Sequence, residues 1–171
     1  MFSAVTSNIL WFETLSNSVT TVKFSKSGKW LGVGQAGSDT VRIYNVPEFT
    51  LNQSFKAGHS SNSTTIWELD FSFDGRKLVT CGSDGNVIQR NISAATIDWT
   101  RLLTANKNAY SCKYSSTNRV GVTSDDGTYY ILKSDGTDNK TGNKNYGLDL
   151  DFRAGDDRFY YSGCTCDDKV Y

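Results

Sequence analysis

Residues 18–34, SVTTVKFSKSGKWLGVG, and residues 65–81, TIWELDFSFDGRKLVTC, are two copies of one pattern. A single shift of 47 residues places Phe24 over Phe71, Gly28 over Gly75 and Leu31 over Leu78. Within each copy apolar and polar residues alternate, as in Val22-Lys23-Phe24-Ser25, which is the period of a half-buried strand. The clusters Lys26-Ser27-Gly28-Lys29 and Asp74-Gly75-Arg76 reverse the chain, because glycine accepts positive φ and an aspartate side chain bonds its own backbone. Each copy predicts a hairpin, and repetition at this interval predicts an array of like units.

Two more copies follow. NAYSCKYSSTNRVGVTSDDGTYYIL, residues 108–132, sets Tyr114 at the aromatic position, and YGLDLDFRAGDDRFYYSGC, residues 146–164, sets Phe152 there. After each aromatic come a turn, a second strand, an acidic turn (Asp39, Asp84, Asp126, Asp168) and the start of a third strand. Leu51–Phe55 and Thr96–Leu102 supply a fourth strand after the first two copies. Residues 135–145 contain no apolar alternation, so the fourth strand of the third copy is expected to be missing or irregular. Fifteen glycines against one proline suit this turn-rich reading.

Four strands per unit of about 40–45 residues resembles the blade of a WD-repeat propeller. FSKSGKWL and FSFDGRKL look like that family's first turn, Gly58-His59 like its Gly-His dipeptide, and GSDGNVIQRNI like its acidic turn and third strand. The Trp-Asp pair that ends the family's repeat is absent; Tyr44-Asn45, Arg90-Asn91 and Leu132-Lys133 stand there. The resemblance implies an all-β, partial β-propeller of three and a half to four four-stranded antiparallel blades, with copies near 9–55, 56–102, 103–145 and 146–171 in one domain. It also implies a network in which His59 bonds Asp84, with Thr80 as a further partner and Arg90 in place of the family's Trp. Propellers of this kind usually close with around seven blades, so four predict part of a larger ring, whose N-terminal strand near Ile9–Leu15 lacks a partner. Two open sheet edges would then favour self-association or a partner that covers them.

The 171 residues suit one domain, and 18 Lys plus Arg balance 18 Asp plus Glu. A neutral chain lacks the field that attracts phosphate backbones or anionic membranes, so the alternative function, an RNA- or nucleic-acid-associated propeller module of a ribonucleoprotein complex, is disfavoured. No run reaches the ~20 apolar residues of a membrane span, and the first residues carry no basic charge ahead of their apolar stretch, which predicts an intracellular chain, cytoplasmic or nuclear. Four cysteines in such a compartment predict free thiols.

His59 is the only histidine. Committed to a blade, it leaves no general base for a Ser or Cys nucleophile. Cys164-Thr165-Cys166 has a spacing of two, short of the usual spacing of zinc-binding cysteine pairs, with no histidine beside it. The acidic pairs Asp125-Asp126, Asp156-Asp157 and Asp167-Asp168 sit in turn-like segments. GVGQAGSD lacks the lysine of a phosphate loop. The sequence therefore predicts no catalytic residues, no metal and no cofactor.

A protein- or peptide-binding surface is the remaining expectation. Two rings of four residues are predicted near one end of the blades: Thr20, Trp67, Tyr110 and Leu148 at the start of each first strand, and Ser38, Ser83, Asp125 and Asp167 beside each acidic turn. Trp67 and Tyr110 are the expected anchors, since interface hot spots favour Trp and Tyr. The competing reading has these rings packed between neighbouring blades.

Overall fold

The computed structural model describes residues 11–60, 64–104, 107–143, 147–153 and 158–163, with the backbone alone at 139, 140, 143, 147, 148 and 161–163. The first sheet is a meander of β1 (Val19–Phe24), β2 (Trp30–Gln35), β3 (Ser38–Asn45) and β4 (Leu51–Lys56). The second repeats it with β5 (Ile66–Phe71), β6 (Lys77–Gly82), β7 (Asn86–Asn91) and β8 (Thr96–Leu102). The third has β9 (Ala109–Tyr114), β10 (Val120–Ser124), β11 (Thr128–Leu132) and β12 (Asp138–Asn143), and the fourth pairs β13 (Gly147–Phe152) with β14 (Phe159–Gly163). All pairings are antiparallel. This is an all-β partial propeller. The described residues contain no helix.

Register reproduces the repeat residue by residue. Phe24 faces Leu31, Phe71 faces Leu78, Tyr114 faces Val120 and Phe152 faces Phe159. Gly28 and Gly75 hold φ of 72° and 69° in the first hairpins, and each amide donates to a serine three residues back, Ser25 O and Ser72 O. Glycine is needed there because a Cβ disfavours that backbone region.

One expectation is corrected. The fourth strand of the third sheet exists: Asp138–Asn143 pairs with β11, with one register shift between Ile131 and Leu132. It shows no apolar alternation because an outermost strand is held by its backbone ladder and by polar pairs, here Arg101 Nη2 to Asp138 Oδ2 at 2.8 Å.

The core lies between successive sheets. Val41, Ile43, Ala57, Ile66, Leu69, Phe71 and Leu78 form one buried cluster between the first two, and Val79, Cys81, Val87, Cys112, Tyr114, Val122 and Leu132 another between the second and third. Each sheet therefore buries one face on its neighbour, as a quasi-one-dimensional repeat does. Cys81 and Cys112 are free and buried. Cys164, Cys166, Asp167 and Asp168 lie outside the described residues.

Candidate functional site

His59 follows β4 and reaches back over the second sheet. Its Nδ1 lies 2.9 Å from Asp84 Oδ1 and its Nε2 3.2 Å from Thr80 Oγ1. The backbone amides of Gly58 and His59 donate to the two oxygens of Asp39, in the acidic turn of the first sheet. Asp84 accepts in addition from Ser60 N at 2.8 Å and Asn86 Nδ2 at 2.7 Å. Burial pushes the Asp84 carboxyl up, but the bonds from His59, Ser60 and Asn86 outweigh it and hold it well below the usual carboxylate range. The network thus ties the connection between the first two sheets to the acidic turn of the second.

Arg90 takes another role at the position where the resembled family has Trp. Its guanidinium lies 4.7 Å from the centroid of the Phe55 ring and donates to Ala95 O and Lys56 O. A planar cation replaces a planar ring as the lid on the outer strand. In the third sheet Thr104 Oγ1 donates to Asp126 Oδ2, a connection-to-turn bond like that of His59, with a hydroxyl in place of the imidazole. Nothing in the repeat pattern singled Thr104 out.

Of the eight expected residues, Trp67 and Tyr110 lie near the starts of β5 and β9, and Thr20 near the start of β1. Trp67 is 37% exposed and its ring centroid lies 5.7 Å from that of the half-buried Tyr110. Asn108, which sequence reasoning missed, joins them: it accepts from Trp67 Nε1 at 3.3 Å and donates to Tyr110 Oη and to Asp125 Oδ2 at 2.8 Å. Thr20 Oγ1 donates to Ile66 O in the next sheet, Ser38 Oγ accepts from Thr40 N, and Ser83 Oγ accepts from Thr65 N. Thr20 thus bonds between sheets, while Ser38, Ser83 and Asp125 order turns. Leu148 lies in β13, where only the backbone is described, and Asp167 lies outside the described residues.

Deeper in the stack, Glu68 accepts from Ser111 Oγ and Cys112 N, with Lys113 Nζ 3.6 Å away. Lys113 also reaches Asp149 at 2.9 Å. Burial raises the Glu68 carboxyl above its ordinary value, and the Ser111 bond and Lys113 charge only partly offset it. This chain of polar groups links the second, third and fourth sheets. Among the described residues no three His, Cys, Asp or Glu side chains gather in a group able to hold a metal ion.

The family model for the WD domain, G-beta repeat, matches residues 12–45 and 49–89, the first sheet and most of the second. Residues 12–45 and 49–89 thus carry WD40 repeats. Beyond the matched segments the third sheet repeats the four-strand meander, and the described part of the fourth is the hairpin β13-β14. A chain of the solved structure "Crystal Structure of Mitotic Checkpoint Complex" superposes with a TM-score of 0.83 at 18% identity, covering 99% of this chain and 52% of that one. This chain therefore spans about half the length of that neighbour, and the likeness concerns the fold. In all, 1242 solved chains match, so the arrangement singles out no activity. No curated protein sequence matches the chain.

Proposed function

We propose that the chain is a non-catalytic scaffold that holds protein partners on the end of the propeller carrying Trp67 and Tyr110. The observation that carries this reading is the Trp67–Tyr110 pair itself: an exposed indole braced at 5.7 Å by a second ring and fixed through Asn108. Rigid aromatics with a polar handle make large contacts at little entropic cost, and interface hot spots are enriched in them. The one histidine is spent within the second sheet, with both ring nitrogens engaged, which supports the absence of acid–base chemistry.

The experiment is quantitative affinity purification of the tagged chain beside Trp67→Ala and Tyr110→Ala. Each substitution should weaken capture of the same proteins by about 2 kcal/mol while the melting temperature changes little for Trp67→Ala. Equal capture by all three chains overturns the proposal.

A further inference from the structure

Cys81 and Cys112 meet across the interface between the second and third sheets. Cys81 lies on β6 and Cys112 on β9, both are fully buried, and both belong to the core cluster that those sheets share. Their thiols are in hydrogen-bonding contact with one another. Each Sγ also lies close to the same carbonyl oxygen, Glu68 O, at 3.8 Å for Cys81 and 3.5 Å for Cys112. Two sulfurs are thus held together by the packing of two sheets.

Register shows how particular this meeting is. Phe24–Leu31, Phe71–Leu78 and Tyr114–Val120 are equivalent pairs, so Gly34, Cys81 and Thr123 are equivalent on the second strands of their sheets. By the same register Leu69, Cys112 and Leu150 are equivalent on the first strand of the sheet that follows each of them. The three interfaces therefore combine Gly34 with Leu69, Cys81 with Cys112, and Thr123 with Leu150. Cysteine stands at both positions of the middle interface and at neither position of the other two. Either thiol alone is an ordinary small core residue, whereas the pair has a reaction open to it.

We infer that Cys81 and Cys112 form a disulfide that ties the second sheet to the third when the chain meets a small disulfide oxidant such as oxidised glutathione. One protein thiolate attacks a glutathione sulfur and releases one glutathione. The other attacks the protein sulfur of that mixed disulfide and releases the second. Both protein thiols give up their protons, two electrons pass to the oxidant, and one oxidised glutathione becomes two reduced molecules.

Burial governs the rate of this exchange and the sulfur contact governs its equilibrium. Burial raises the pKa of both thiols and keeps the oxidant out, so the reaction proceeds through transient opening of the interface and is slow. A fold that holds two thiols in contact raises their effective concentration, and the bond stabilises the fold by the same factor by which the fold favours the bond. The link crosses the same two sheets as the Trp67–Tyr110 contact, yet it does not depend on that end binding a partner.

The test equilibrates the full chain with glutathione redox buffers, once folded and once unfolded in guanidinium chloride, then quenches in acid and maps linked peptides by mass spectrometry. The map separates a Cys81–Cys112 link from any link made by Cys164 or Cys166. The folded sample is brought to equilibrium from both the reduced and the oxidised side, so slow exchange is not read as absence. The equilibrium constant for the link should be at least about tenfold larger in the folded chain than in the unfolded one, and the linked chain should melt higher than the reduced chain. Cys112→Ser should abolish that rise. An equal or smaller constant in the folded chain overturns the inference, and so does a linked chain that melts lower, because the bond would then strain the interface. Glutathione accumulating on either residue without the link overturns it too, since the two sulfurs would then be unable to reach bonding distance.

Discussion

Tyr114 Oη donates a 2.8 Å hydrogen bond to Gln89 Oε1 between the third and second sheets, with both side chains buried. Tyr114 stands where the other sheets carry Phe24, Phe71 and Phe152. The one hydroxyl at this position thus meets the one buried amide able to accept from it. Gln89 is filled at its other end as well, donating to Asp98 Oδ2 at 3.1 Å and Ser134 O at 3.4 Å. Tyr114→Phe would keep the ring and strand Gln89 Oε1 without a donor, so it should destabilise the chain by about 1–3 kcal/mol, the penalty for an unsatisfied buried acceptor. Urea denaturation checks this, and an unchanged midpoint contradicts it.

His59→Ala removes a fully buried ring bonded at both nitrogens. A loss of about 1–3 kcal/mol is expected, with capture by the Trp67 end retained in the chain that remains folded. If the variant melts like the wild type yet loses an activity, the ring has a role beyond holding the sheet.

The depressed carboxyl of Asp84 makes part of that stability pH-dependent. A group whose pKa is lower in the folded chain contributes its full stabilisation above its unfolded value, about 3.9, and loses it as pH falls through the folded value. The gap in unfolding free energy between wild type and Asp84→Asn should be flat from neutral pH to about pH 5 and shrink below about pH 4. Burial raises the carboxyls of Glu68 and Asp70, which act with the opposite sign, but they are common to both chains and cancel in the difference. A gap that does not change down to pH 3 contradicts this reading.

Gly121→Val tests the close approach of the fourth sheet to the third. The first added carbon meets Leu150 and Phe152 at under 3 Å, so the substitution should destabilise by about 1–3 kcal/mol. Leu150→Ala in the same chain should recover part of that loss by making room. Additive losses in a double-mutant cycle would show that the two sites do not share a contact.

Burial also raises the thiols of Cys81 and Cys112, that of Cys112 well above its ordinary value. Thiolate is the reactive form. Both should resist a thiol reagent at pH 8 in the native chain and react once it is unfolded in guanidinium, which mass spectrometry of the labelled peptides reads directly. Native labelling at either residue contradicts it.

The aromatic landmarks, turn glycines and strand order were legible because each depends on residues within one hairpin, where a period of two and a Gly-centred turn leave a local signature. The polar β12 left no such signature, since an outer strand needs only a backbone ladder, and it was missed. At the Trp67 end, spacing selected the two rings, whereas Asn108, which joins them to Asp125, was invisible: its contacts reach back 41 residues and forward 17. The pairing of His59 with Asp84 came from the resemblance alone, and composition carries no trace of it.

By itself, then, the sequence determined that this protein is a repeat of antiparallel hairpins in a common register, because hydrophobic period and turn chemistry act over a few residues. Only the tertiary structure decided how one hairpin lies on the next: Leu69 over Gly32, Tyr114 on Gln89 and Trp67 against Tyr110. Those relationships depend on side-chain volume and polar partners brought together across sheets, and close packing selects them only after each sheet has formed.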